Sequence, residues 1–145
     1  MSYPKVRNLI KESFKALVQE KFPEADLVVG VATAGIAHGA LLADALDLPF
    51  AYIRSKAKGH GMQNLIEGEI KAGAQVIVVE DLISTGGSSL KGVDAVREAG
   101  AEVLTMLAIF TYGFDHAVQN FADKDCSFYT LSDFDNLLEF AVENE

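Results

Sequence analysis

The residues with the greatest capacity for chemistry fall in one stretch, residues 78–90, which reads VVEDLISTGGSSL. Gly86 and Gly87 let the backbone curl and come close to a ligand without side-chain obstruction. Ser84, Thr85, Ser88 and Ser89 supply hydroxyl donors, and a helix predicted to start near Ser88 would add unpaired N–H groups and the positive end of its dipole. Together these groups make a cradle for a phosphate monoester. The segment lacks the lysine of a nucleoside-triphosphate loop, and no GxGxxG dinucleotide fingerprint occurs anywhere in the chain.

Glu80 and Asp81 precede this cradle, and two adjacent carboxylates would repel a phosphate. Vicinal ribose hydroxyls suit them better, with a bound Mg²⁺ offsetting their charge. An ordinary helix N-cap with acidic partners is the competing reading of the pair. A second cluster is cationic: Arg54, Lys56 and Lys58, followed by His60 between Gly59 and Gly61. No Lys or Arg occurs from Phe22 to Ile53, so the cluster stands out. It reads either as a solvated surface turn or as a loop that meets an anion. A ligand with a terminal phosphate, a ribose diol and a second anionic group is a phosphoribosyl diphosphate.

The elements that must position these groups alternate. Apolar residues at helical spacing (Val6, Leu9, Ile10, Phe14, Leu17, Val18) predict a helix from about Tyr3 to Lys21, with Ser2 as N-cap. Leu27–Val31, Phe50–Ile53, Gln75–Val79, Val103–Phe110 and Ser127–Leu131 read as strands. Helices are expected at about 36–46, 88–99 and 114–121, and from a cap at Ser132 or Asp133 to Glu143. Residues 80–87 are expected as a loop, and 55–71 as a long irregular segment of the kind that usually carries function. The alternation predicts an α/β fold: one domain over residues 1–145, a parallel sheet flanked by helices on both faces. In such a sheet, ligands bind where strand ends meet helix N-termini, here at Ala32–Gly35, Arg54–Gly61 and Glu80–Ser89.

Composition narrows the class. Twelve basic against twenty-one acidic residues leave a net charge of −9, which disfavours a nucleic-acid or anionic-membrane partner. One cysteine, Cys126, cannot close an internal disulfide, and with His38, His60 and His116 it fits no zinc spacing. Cys126 reads as a small buried residue, His38 as structural and His116 as exposed. The late phenylalanines (Phe110, Phe114, Phe121, Phe128, Phe134, Phe140) read as core or subunit interface. The N-terminus shows no signal-peptide apolar region, and no run approaches the roughly 20 apolar residues of a membrane span, so a cytoplasmic location is expected.

Residues 78–89 resemble the phosphoribosyl-diphosphate-binding signature of the type I phosphoribosyltransferases. Residues 30–36 (GVATAGI), 51–61 (AYIRSKAKGHG) and 108–112 (AIFTY) narrow the resemblance to the orotate phosphoribosyltransferases. The resemblance implies Mg²⁺-dependent transfer of a phosphoribosyl group to orotate, in pyrimidine synthesis, by a homodimer with shared active sites. It implies that Glu80 and Asp81 hold the ribose hydroxyls while Leu82, Ile83, Ser84, Thr85, Gly86, Gly87 and Ser88 wrap the 5′-phosphate, with Ser84 also near the pyrimidine. Thr33, Ala34 and Gly35 would bind pyrophosphate through backbone N–H groups, in the family often beside a non-proline cis peptide. Arg54, Lys58 and His60 would reach the diphosphate of the neighbouring subunit. Lys58, Arg54 and Asp81 would be the catalytic residues, the Mg²⁺ being carried by substrate near Glu80 and Asp81 with no direct side-chain ligand.

The resemblance also implies an N-terminal hood segment and a C-terminal helical extension that this sequence lacks, and some relatives carry a lysine where Ala34 stands. A phosphoribosyl-diphosphate-binding core without transferase turnover is therefore the alternative. A nucleic-acid-binding regulator of the family is a third reading, against which the charge of −9 argues.

Overall fold

A computed structural model describes residues 1–56 and 65–144. The elements run α1 (Pro4–Lys21), β1 (Leu27–Val31), α2 (Ala34–Leu46), β2 (Phe50–Ile53), β3 (Ile66–Glu67), β4 (Gln75–Ile83), α3 (Gly87–Glu98), β5 (Glu102–Thr111), α4 (Asp115–Asp123), β6 (Phe128–Asp133) and α5 (Phe134–Glu143). The six strands form one sheet in the order β3-β2-β1-β4-β5-β6. Only β3 runs antiparallel to its neighbour; the other pairings are parallel. The expected α/β fold is the observed one.

Burial on both sides explains the continuous apolar strands. Every residue of β1 is buried, as are Val76 to Glu80 of β4. Alternate residues feed two cores. Val28, Ile77, Val79 and Leu107 pack with Phe14 and Val18 of α1 and Leu42 of α2 on one face. Val29, Val78, Met106 and Ala108 pack with Val93 and Val96 of α3 and Phe121 of α4 on the other. Each fully buried Val or Leu contributes roughly 1.5–3 kcal/mol, which makes these two layers the main source of stability.

Three local expectations are corrected. Strand β4 does not stop at Val79, because Glu80, Leu82 and Ile83 pair with Ala108, Phe110 and Thr111 of β5. Their backbone groups have partners in the sheet, so the loop shrinks to residues 84–86. Tyr3 rather than Ser2 is the N-cap of α1, and Val6 and Leu9 remain exposed while Phe14 and Val18 are buried. The segment 55–71 contains a short strand, β3, paired with Tyr52 and Ile53. Of the late phenylalanines, Phe121 is core and packs at a tilt against half-buried Phe128, ring centroids 4.6 Å apart, whereas Phe114, Phe134 and Phe140 are exposed. Asp133 caps α5 by accepting the Asn136 N–H. No helix of the described residues is long and apolar enough to cross a membrane.

Glycines bring α2 down onto the sheet. A Cβ on Gly30 would lie 2.7 Å from the Gly35 carbonyl oxygen, and one on Gly35 would collide with the Val79 carbonyl oxygen. The first turn of α2 therefore rests directly on the ends of β1 and β4. Substituting Gly35→Ala should destabilise the protein by more than about 2 kcal/mol, because rigid backbone must move to admit the methyl group. Gly73 has open space around it at φ +82, so Gly73→Ala should cost only the roughly 1–2 kcal/mol of a left-handed alanine. Urea unfolding of the two variants checks this, and equal losses would contradict it.

Candidate active site

Strand order reverses between β1 and β4: β1 continues through α2 to β2 on one side, and β4 through α3 to β5 on the other. Such a switch point leaves a crevice at the carboxyl ends of the two strands. Gly30 stands opposite Val79 in the register, so the segments after each strand leave the sheet side by side. These are the predicted segments Ala32–Gly35 and Glu80–Ser88.

Each segment ends in a helix N-terminus left open to a ligand. In the first, the Ala32–Thr33 peptide bond is cis, Thr33 is the N-cap of α2, and no side chain caps the helix. Thr33 and Ala34 are exposed while Gly35 is buried against β4. In the second, Gly86 is the N-cap of α3 at φ 85, again without a side-chain cap. A Cβ on Gly86 would lie 2.7 Å from the Phe121 ring, so the position needs glycine for both its backbone angle and its packing. Ser84, Thr85, Gly87 and Ser88 are exposed around this turn. Asn120 of α4 donates to the Thr85 carbonyl at 2.9 Å, and the Thr111 hydroxyl donates to the Ile83 carbonyl at 3.1 Å. These bonds hold the ends of the cradle while its N–H groups face outward.

The two carboxylates between the segments lie within hydrogen-bond reach of each other but have different surroundings. Glu80 is 7% exposed and turned toward α3. Its Oε1 accepts the Asp81 backbone N–H at 3.0 Å, and its Oε2 accepts the Ser89 hydroxyl at 3.3 Å. Burial, reinforced by the neighbouring Asp81 carboxyl, pushes the Glu80 pKa up to about 7. Asp81 is half-buried and opens on the α2 side into a cavity of about 630 Å³. Thr33, Ala34, Ala37 and His38 form one wall of this cavity, with Leu82, Ile109, Phe110 and Tyr112 among its other lining residues. His38 is half-buried, and its pKa is lowered chiefly by that burial and further by the Met1 amino group, with Asp81 opposing.

Arg54 follows the last residue of β2, and the Ile53 carbonyl accepts the Ala32 N–H at 2.8 Å, which brings Arg54 beside the cis-peptide turn. Its guanidinium pairs with Glu67 of β3 at 3.3 Å. Lys58 and His60 lie outside the described residues. A second cavity, of about 490 Å³, sits at the opposite, amino ends of the strands near Leu27 and Phe50, away from both helix N-termini. Cys126 is buried, and burial pushes its thiol pKa up, which keeps it a poor nucleophile.

Sequence reasoning brought the two anion cradles and the acidic pair to one place, and the structure does the same. His38, read as structural, lines the cavity, and the clamp from Asn120 was not anticipated. The first had a detectable signal: Ala34, Ala37 and His38 share one helical face, so whatever meets Ala34 also meets His38. The Asn120 contact spans 35 residues and has no local signature.

The donor set suits a substrate-borne Mg²⁺. Among the described residues no three His, Cys, Asp or Glu side chains cluster. Glu80 is occupied by its two hydrogen bonds, which leaves Asp81 as the carboxylate facing the cavity. A hard cation that keeps its waters and is bound largely by substrate phosphates needs no more than that.

The family model described as "Phosphoribosyl transferase domain" matches residues 2–138. The chain is 51% identical over 144 residues to the orotate phosphoribosyltransferase of Cytophaga hutchinsonii, covering 99% of this chain and 69% of that protein. It is 50% identical over 144 residues to the Bacillus subtilis orotate phosphoribosyltransferase, covering 99% and 67%. Among solved structures, the orotate phosphoribosyltransferase of Aeropyrum pernix superposes with a TM-score of 0.82 at 28% identity, over 92% of this chain and 75% of that one.

The Glu80 geometry has a consequence for the metal-free protein. Its folded pKa of about 7 exceeds its ordinary value of 4.5, so between these values the folded state binds more protons than the unfolded state. Stability must then fall as pH rises through that window. Relative to Glu80→Gln, the wild type should lose about 1–3 kcal/mol between about pH 5 and about pH 8, measured by urea unfolding in chelator. A pH-independent difference between the two proteins would contradict the assignment.

Proposed function

The chain belongs to the phosphoribosyl transferase family and within it to the orotate phosphoribosyltransferases, and we propose that the switch-point crevice joins phosphoribosyl diphosphate to orotate. The observation that carries this reading is the convergence of two uncapped helix N-termini on either side of Asp81. One ligand with an anion at each end and a diol between them satisfies all three. Identity of about one half along 99% of the chain favours the transferase over a core that only binds phosphoribosyl diphosphate. A regulator that binds nucleic acid is disfavoured by the net charge of −9.

In this reading the turn at Ser84–Ser88, extending from Leu82 and Ile83, holds the 5′-phosphate through the N–H groups of α3 and the surrounding hydroxyls. The turn at Thr33, Ala34 and Gly35 holds the pyrophosphate through the N–H groups of α2. Asp81 accepts from the ribose hydroxyls, and Glu80, fastened to Ser89 and the Asp81 backbone, supports that placement. Orotate occupies the cavity beyond Asp81.

During transfer the bond from ribose C1′ to the pyrophosphate oxygen breaks, a bond from C1′ to the orotate ring nitrogen forms, and the proton of that nitrogen leaves to the departing pyrophosphate or to solvent. The sugar carbon gains positive character, which the Asp81 carboxylate stabilises, while negative charge grows on the departing pyrophosphate. Arg54, Lys58 and His60 meet that growing charge, Arg54 by leaving Glu67 for the stronger anion. When bound, Mg²⁺ would neutralise part of the diphosphate charge, held by substrate oxygens and by Asp81 through water. In a homodimer these basic residues would serve the site of the neighbouring subunit, and exclusion of water from the crevice would protect the activated sugar from hydrolysis. The reaction belongs to pyrimidine synthesis in the cytoplasm.

Calorimetry with phosphoribosyl diphosphate, with and without Mg²⁺, and a spectrophotometric assay of orotate consumption test the proposal together. Mg²⁺-dependent binding and turnover are expected, with Asp81→Asn lowering kcat/KM by at least about 100-fold, or about 2.7 kcal/mol of transition-state stabilisation. Binding without turnover would leave the core that only binds, and neither binding nor turnover would refute both.

A further inference from the structure

We infer that His38 selects the acceptor base: its imidazole meets the polar edge of a planar pyrimidine lying in the cavity beyond Asp81. The inference deepens the transferase reading and rests on it. Ala34, Ala37 and His38 line the cavity at positions i, i+3 and i+4 of α2, so one helical face supplies a wall. The two alanines leave room, and His38 is the one member of that face with hydrogen-bonding side-chain atoms.

The other lining residues decide what fits. Leu82, Ile109, Phe110 and Tyr112 offer apolar and aromatic surface, with the Phe110 and Tyr112 rings 5.6 Å apart and perpendicular. This surface suits the faces of a flat ring, and Met1 and the hydroxyl-bearing Thr33 and Tyr112 add polar groups to the same lining. The pyrophosphate has its own place at the N-terminus of α2, about one turn before His38. With the diphosphate held there, the acceptor ring is what meets His38, and separate kinetics for the two substrates distinguish the two placements.

The state of the imidazole fits that role. Burial and the Met1 amino group lower its pKa against the opposing pull of Asp81, so at neutral pH the ring is uncharged. A neutral imidazole donates from one nitrogen and accepts at the other. Its two nitrogens point away from each other, so a single one meets the pyrimidine edge, donating to a carbonyl or accepting from an N–H. A binding site that hydrogen-bonds its substrate in this way loses discrimination when its partner group is removed.

Steady-state kinetics of His38→Ala and His38→Gln, with orotate and phosphoribosyl diphosphate varied separately, test the inference. His38→Ala should raise the orotate KM at least about tenfold while the KM and calorimetric Kd for phosphoribosyl diphosphate stay within about twofold. His38→Gln, whose amide both donates and accepts, should recover most of the orotate affinity. An unchanged orotate KM in His38→Ala, or equal losses for both substrates, would overturn the inference in favour of a structural histidine. If the wild type turns nothing over, orotate calorimetry in the presence of phosphoribosyl diphosphate still decides. Binding that depends on His38 upholds the inference while the transferase reading falls, and no orotate binding by the wild type overturns both.

Discussion

The structure depends on the close approach of α2 to the ends of β1 and β4. Three glycines make it possible: Gly30 in the strand, Gly35 in the first helical turn and Gly39 one turn on, which also faces Gly30. With side chains at these positions the helix would stand off the sheet. The first turn of α2 would then no longer lie over Val79 and Glu80. Because it does lie there, a helix N-terminus, a strand-end carboxylate and a second helix N-terminus share one crevice. The apolar layers on either side supply the stability, but the glycine contact sets the geometry of the site.

The same crevice gives two chemically identical groups different surroundings. Glu80 and Asp81 are adjacent in sequence and their carboxyl groups stay within hydrogen-bond reach, yet Glu80 is buried and bonded to Ser89 of α3 while Asp81 lines the cavity beside α2. Burial and the neighbouring Asp81 carboxyl raise the Glu80 pKa to about 7 against the opposing pull of its two hydrogen-bond donors, so Glu80 carries only part of a charge at pH 7 and the repulsion within the pair is reduced. One carboxylate becomes part of the scaffold of the site, and the other is left to face a ligand. An acidic protein can thus bind an anionic ligand by meeting it with backbone N–H groups while much of its negative charge lies elsewhere.

Much of this was legible in the chain. Buried strands announced themselves as apolar runs, and the alternation with helices required parallel pairing. The glycine- and hydroxyl-rich turn after β4 read as a phosphate cradle from residue type, whereas the small-residue turn after β1 read only as a ligand-binding strand end, its pyrophosphate role coming from the family resemblance. The limit of β4 was not legible, because residues 80–83 become strand by pairing with residues 108–111 of β5. Nor was the partner of Arg54: its ion pair with Glu67 exists because β3 folds back antiparallel on β2.

Local chemistry and periodicity thus determined the fold class, the phosphate cradle and the presence of an acidic pair beside it, because each depends on near neighbours in the chain. Tertiary structure decided which carboxylate faces the cavity, which histidine shares it and what holds the phosphate turn in place. Those outcomes rest on residues far apart in sequence that only the packing of the sheet and its helices brings together, such as Asn120 bonded to Thr85, and His38 and Asp81 lining one cavity.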